Sequence, residues 1–308
     1  ISTPLPAALA WGQAGELFAS LVRERTAGRI NLRHYPDAAL VQGQPEREFA
    51  ALRQGAIDVL CGAPGNWSGT VPALGVFTLP FLLPDHRAWD AVLRQPDIVG
   101  DYFELVRKAG AEPLALGETG YRQISNSKRP ILRPDDLRGL RVRVAGSPMI
   151  GEIMTGLGAS PTFMSWADAQ PALVSGAVEA QENSLEIFLA ARIHTLGQKF
   201  VTKWNFSNDV LLFAVANPVW RSWSAVDQQI VREASLDAAG QQFKRVRALF
   251  AQDVAQVQAL GVQVHLPTAD ELAQWRVATR PTYTRWKLQT HPTPVSYTHL
   301  RAHETVLD

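Results

Sequence analysis

An eight-residue pattern occurs twice in this chain. Ala51-Leu-Arg-Gln-Gly-Ala-Ile-Asp58 and Ala172-Leu-Val-Ser-Gly-Ala-Val-Glu179 align without a gap, 121 positions apart. Each copy reads as the end of a helix, a glycine that stops it and the apolar start of a strand. One supersecondary unit used twice at that distance points to two similar domains rather than one.

The rest of the chain alternates in the same way. Helical spacing of apolar residues predicts helices over 7–26, 45–54, 85–109, 185–194, 218–260 and 268–288. Strand patterns fall between them at 29–35, 57–60, 111–116, 140–144, 200–205, 210–216 and 262–266. Such alternation predicts an α/β fold with a mostly parallel sheet, and 308 residues suffice for two domains of ordinary size. The stretch 66–84 carries Trp67, Phe77 and Phe81 but is broken by Pro72, Pro80 and Pro84. It reads as an apolar loop over a core or along a cleft.

Charge and motif content exclude several functions. Thirty basic and twenty-nine acidic residues leave a formal charge of +1, so no global field draws nucleic acid or an anionic membrane. The single cysteine, Cys61, allows no internal disulfide and reads as a buried small hydrophobe. No apolar run reaches the roughly 20 residues of a membrane-spanning helix, and the chain is read as soluble as given, with any removed leader invisible to it. A nucleophile elbow, a Walker loop, a dinucleotide fingerprint and a zinc-protease motif are all missing. The histidine pair at helical spacing, His299 and His303, lies in a terminal tail with no apolar face to fix it. No catalytic residue, metal or cofactor is expected.

Polar groups converge elsewhere. In 140–144, Leu140, Val142 and Val144 alternate with Arg141 and Arg143, which sets Arg143 near the carboxyl end of a half-buried strand. Arg122 follows the strand 111–116 after a short glycine-rich loop, and Asn183 follows the strand of the second repeat. Open α/β sheets bind ligands outside those strand ends. A guanidinium offers a carboxylate two parallel N–H donors in fixed geometry. Taken singly, each arginine reads as a surface or ion-pair residue, and Trp166 as core.

The central sequence makes the constellation specific. Leu-Arg-Gly-Leu-Arg-Val-Arg-Val (137–144), Leu-Gly-Ala-Ser-Pro-Thr (157–162) and Gly-Ala-Val-Glu-Ala-Gln-Glu-Asn (176–183) resemble the solute-binding proteins of tripartite ATP-independent periplasmic (TRAP) transporters, of the DctP type. Gly28-Arg29-Ile30, Gln54 to Asp58, Phe77 to Leu82, Tyr121 to Asn126 and Val219-Trp220 extend the resemblance over nearly all of 8–290. It implies a two-domain periplasmic binding protein-like fold of type II, with hinge strands, a long helix and an interdomain ligand cleft. Domain I is expected over 1–121 with 208–250, and domain II over 122–207 with 251–290. In the family pattern Arg143 matches the arginine that pairs with the ligand carboxylate, Arg122 a second basic residue and Asn183 an amide on the same ligand. Trp166 falls where the family carries an aromatic wall, and Trp67 is taken as a further cleft residue. With Phe81, these aromatics point to a ligand with an apolar body.

The implied function is a periplasmic receptor, monomeric and not an enzyme, that captures a small organic acid and delivers it to a membrane permease. Two rivals remain: an enzyme on the same scaffold, with Glu118, Glu182 and Asp209 as its candidate groups, and a binding module feeding a membrane sensor. The chain departs from the family at Ala180, Ser184 and Ala145, where glycine, proline and proline are usual. It also begins inside the expected first strand, which is therefore truncated or absent. The tail 291–308 is read as a non-native addition, since 294–308 has no family counterpart.

Overall fold

The computed structural model describes residues 1–290; the reading of the tail 291–308 and the side chain of Asp209 lie outside the described residues. The first part of the chain runs α1 (Ala10–Arg25), α2 (Glu48–Arg53), β1 (Val59–Gly62), α3 (His86–Leu93), α4 (Pro96–Lys108) and β2 (Ala111–Asn126). Then follow β3 (Arg141–Val144), α5 (Pro148–Gly156), β4 (Ser160–Phe163), α6 (Trp166–Ser175), β5 (Ala180–Ser184), α7 (Leu185–Ala190) and β6 (Phe200–Ala216). The chain closes with α8 (Asn217–Ser222), α9 (Ala225–Phe250), α10 (Asp253–Ala259), β7 (Gln263–His265) and α11 (Ala269–Thr290).

The repeat folds alike in both copies. Gly55 and Gly176 stop α2 and α6 in the left-handed region, at φ +78° and +75°. Equivalent carbonyls then accept equivalent amides: Ile57 N–H donates to Ala51 O at 3.3 Å, and Val178 N–H to Ala172 O at 3.2 Å. A strand begins four residues after each glycine helix stop, β1 in one copy and β5 in the other.

The sheet is mixed, not mostly parallel as expected. Seven strands join in the order β1-β6-β2-β5-β3-β4, with β7 beside β6. Pairs β1–β6, β2–β6 and β2–β5 are antiparallel, whereas β3–β4, β3–β5 and β6–β7 are parallel. The cause is the length of β2 and β6, 16 and 17 residues, which cross the sheet side by side and pair with different neighbours along their course. Residues 212–215 of β6 pair with β1, and 200–202 with β7. Residues 122–126 of β2 pair with β5.

Two strand expectations fail for one reason. The glycine-rich loop expected between Leu116 and Arg122 and the break expected between the strands 200–205 and 210–216 do not form. Both segments are continuous strand, each supplying the other's backbone partners through register shifts between Glu118 and Tyr121 and between Arg122 and Ile124. The glycines serve close approach and turning: a Cβ at Gly117 would lie 2.8 Å from Gln242 Oε1 on α9, and Gly120 has φ +93°.

Other boundaries follow local chemistry. The helix expected over 85–109 divides because Pro96 cannot continue α3 and instead opens α4. The one expected over 218–260 divides into three, with Ser224 Oγ accepting the Asp227 N–H at 3.1 Å to cap α9. Residues 29–35 make no ladder. Tyr35 instead bridges Ser2, which also bridges Leu60, so the first residues occupy the expected first strand's place.

Alternation along the strands builds a core on each sheet face. On β6, Leu211, Phe213 and Val215 join the cluster under α1 and α9, with Val59 and Cys61 of β1. Val210, Leu212 and Ala214 join the other, with Leu60 of β1 and Trp204, Trp275 and Trp286. The period of two assigns the side chains to their faces. Cys61 is buried as expected.

Candidate ligand-binding site

A cavity of about 370 Å³ opens where the repeated units present their strand ends. Leu5, Trp11, Asn66 and Thr78 line it from the first part of the chain; Arg143, Ile150, Trp166, Asn183 and Ile187 line it from the second.

Arg143 is the third residue of β3, and only 4 % of its surface is exposed. Its Nε and Nη2 donate to Met164 O at 3.2 and 3.0 Å, which fixes the plane of the guanidinium. The group lies 5.5 Å from the centroid of the Trp166 ring, within cation–π range. Among the described residues it forms no ion pair with a carboxylate. Burial pushes its pKa down to about 10; Glu182 works against that shift and Arg122 adds to it. The cleft thus holds a cation short of counter-charge.

Arg122 is differently placed. Its Nε donates to the Glu182 carboxylate and its Nη2 to Glu182 O at 2.8 Å, both residues being buried. Antiparallel pairing of β2 with β5, which sets Arg122 opposite Ser184, brings the two together. Asn183, 6 % exposed, lines the cleft, and its side-chain amide makes no hydrogen bond among the described residues. Trp166 opens α6, which Ser165 caps by accepting the Asp168 N–H, and forms one wall. Arg122, Arg143, Asn183 and Trp166 therefore share one cavity, although Arg122 and Asn183 sit within strands and not beyond them.

Trp67 does not join them. It is fully buried, stacked on Phe49 with ring centroids 5.3 Å apart, and its Nε1 donates to Pro45 O at 3.1 Å. That inward bond turns the ring into the core and leaves its neighbour Asn66 on the cleft. Phe81 is also core, packed edge-on to Trp204. The aromatic surface of the cleft comes instead from Trp166 and Trp11. Trp11 carried no signal, since a tryptophan on an amphipathic helix reads as core. Asn66 did carry one: it follows β1 at the position where Ile187, 121 residues later, follows β5.

Of the groups named for an enzymatic rival, Glu118 and Glu182 are committed to other partners. Glu118 is fully buried and accepts from Arg247 Nε at 2.6 Å and Asn208 Nδ2 at 3.3 Å, while Glu182 is paired with Arg122. Among the described residues no cluster of metal-ligating side chains occurs, and no helix is long and apolar enough to cross a membrane.

The bacterial extracellular solute-binding protein family 7 (DctP) matches residues 1–289. The chain belongs to this family. A TRAP periplasmic solute-binding protein of Ralstonia eutropha H16, solved with bound (S)-2-acetolactate, is 46% identical, with a TM-score of 0.91 over 94% of this chain and 93% of that one. One from a Polaromonas species, bound to D-erythronate, is 26% identical, with a TM-score of 0.85 over 94% and 93%. The 2,3-diketo-L-gulonate-binding periplasmic protein YiaO of Escherichia coli is 29% identical over 238 residues, 76% of this chain and 70% of that one. The DctP chain is thus a solute receptor of the TRAP type. Members of its family bind small organic acids and work with membrane components, and they are binding proteins, not enzymes.

Proposed function

We propose that this chain is the periplasmic receptor of a TRAP transporter, that it captures one small carboxylic acid between two domains, and that it hands the acid to a membrane permease. One observation carries the reading: Arg143 is a buried cation on the cleft wall with no carboxylate paired to it among the described residues. A ligand carboxylate supplies the missing charge and meets the outward edge of the guanidinium, while Met164 O holds the opposite edge. Asn183 adds a hydrogen bond, Arg122 favours the anion, and Trp166 with Ile150 covers the ligand's apolar part. Arg143, Arg122, Asn183 and Trp166 are the proposed site.

The domains divide near residues 121 and 208, where β2 and β6 shift register. Bulged pairing gives both strands a point at which to bend, and Arg247 ties Glu118 in β2 to Asp90 in α3 on one side of it. Closure excludes water and strengthens each polar contact. The receptor acts as a monomer and turns nothing over, in keeping with a family of solute-binding proteins. Acetolactate and erythronate, bound by the two structural relatives, are short oxygenated monocarboxylates. The same class suits a cavity of about 370 Å³.

A thermal-shift screen of 2-hydroxy, 2-oxo, sugar and C4-dicarboxylic acids tests this. At 100 times its dissociation constant, a true ligand stabilises the fold by about 2.7 kcal/mol and raises the midpoint by a few degrees. A cooperative melt that no acid moves would overturn the proposal.

A further inference from the structure

The first part of the chain supplies polar groups of its own to the cleft. Two short turns after β1 bring them: Pro64–Trp67 carries Asn66, and Pro72–Thr78 ends on Thr78. Gly65 lets the two come together, since a Cβ there would lie 2.4 Å from Thr78 Oγ1, which sets that hydroxyl against the backbone next to Asn66. Both side chains line the cavity at 9 % and 8 % exposure, and neither makes a hydrogen bond among the described residues. Buried polar groups nearly always have a hydrogen-bond partner, so an unpaired amide and hydroxyl side by side on a cavity wall mark a place for a ligand atom. In the second copy of the repeat Ile187 holds the position of Asn66 and lines the same cavity with an apolar side chain. The two walls therefore differ in chemistry.

We infer that Asn66 and Thr78 form a subsite that reads an uncharged oxygen, hydroxyl or oxo, on the acid whose carboxylate Arg143 holds. The inference rests on the carboxylate reading of Arg143 given above. An amide offers two donors and an acceptor oxygen, and a hydroxyl offers one donor that can turn toward its partner. Together they can donate to an oxo group, or donate to a hydroxyl and accept a hydrogen bond from it in return. Neither carries a charge, so they suit a neutral group, which costs little to desolvate when it gains such bonds. A hydrogen or methyl in its place would leave the amide and the hydroxyl unsatisfied. Sites of this kind reject the analogue that lacks the oxygen. Arg143 stands on β3 and the pair on turns that follow β1, so an oxygenated acid engages both repeated units at once.

Butanoate and its 2-, 3- and 4-hydroxy derivatives provide the test, since they share one carboxylate and differ by one neutral oxygen. Titration calorimetry on the parent chain should give tighter binding of at least one hydroxy acid than of butanoate by about tenfold to a hundredfold, the factor of one or two neutral hydrogen bonds. Thr78→Val, which keeps the shape of the side chain, and Asn66→Leu should each bring that ratio down by about tenfold, whereas Thr78→Ser, which keeps the hydroxyl, should preserve it. The parent ratio needs no variant to fold, so it decides the oxygen preference by itself. All three hydroxy acids binding within about threefold of butanoate, with all four lost in Arg143→Met, would overturn the inference and leave carboxylate capture standing. A ratio unchanged in folded Thr78→Val and Asn66→Leu would overturn the assignment of the pair, and one unchanged in either would remove that residue from the subsite. The preferred acid bound equally well by Arg143→Met, or none of the four bound at any attainable concentration, would overturn the carboxylate reading itself.

Discussion

Replacing Arg143 by methionine separates the two things a buried cation can do. In the unliganded chain the guanidinium is held against its preference: burial pushes its pKa down to about 10. At 1.36 kcal/mol per unit, that shift is a cost of about 3 kcal/mol for keeping the charge inside the fold. The sign is fixed, because a basic group whose folded pKa is lowered opposes folding at every pH below that value. Methionine retains the apolar stem and removes the charge, at the loss of two hydrogen bonds to Met164 O worth about 1 kcal/mol each. The unliganded variant should therefore melt at or slightly above the parent's temperature. Binding should change in the opposite direction, since the ligand carboxylate loses its partner in a desolvated site. Breaking such a pair costs about 3–5 kcal/mol, roughly a hundredfold to several-thousandfold in affinity. Calorimetric melting and titration of the same preparations measure both terms. Affinity within a factor of about three of the parent's would refute the site assignment. A collapse of the unliganded melt would show that Arg143 holds the fold and not the ligand.

Other consequences can be measured separately. Trp67→Ala should cost about 3–5 kcal/mol in urea denaturation, as expected for a fully buried ring stacked on Phe49. Arg247→Met should destabilise by about 3–5 kcal/mol, because it leaves the Glu118 carboxylate buried with the Asn208 amide and His86 as its remaining partners among the described residues. The Glu48 carboxyl accepts from Ser2 Oγ, and burial pushes its pKa up to about 8 despite that bond. A raised carboxyl pKa gives stability that is complete below about pH 4.5 and is lost as pH rises through 8. Glu48→Gln should accordingly match the parent near pH 4 and exceed it at pH 8; equal pH slopes in the two proteins would refute the assignment.

Much of the proposed site was legible because its residues sit in local patterns. Alternation in 140–144 identified the strand that carries Arg143, and the repeated Gly-Ala pair identified the strand that carries Asn183. Trp67 was misjudged because an apolar, proline-broken stretch can lie over a core or along a cleft, and a single bond to Pro45 O decides which. The mixed sheet was missed for a related reason. Gly117 and Gly120 are loop residues by composition, and only a partner strand running the other way makes them part of a ladder.

Local chemistry settled what depends on neighbours within a few residues. It gave the α/β class, the duplicated unit with its two left-handed glycines, the division of faces on each strand, and a pair of arginines near strand ends. Tertiary structure alone decided what those arginines are worth. Arg122 and Arg143 look alike in sequence, 21 residues apart. The ladder between β2 and β5 gives Glu182 to one of them, whereas β3 leaves the other against Met164 O with no paired carboxylate among the described residues. Whether a buried charge has a carboxylate beside it is a property of packing, and the proposed acid site rests on that property.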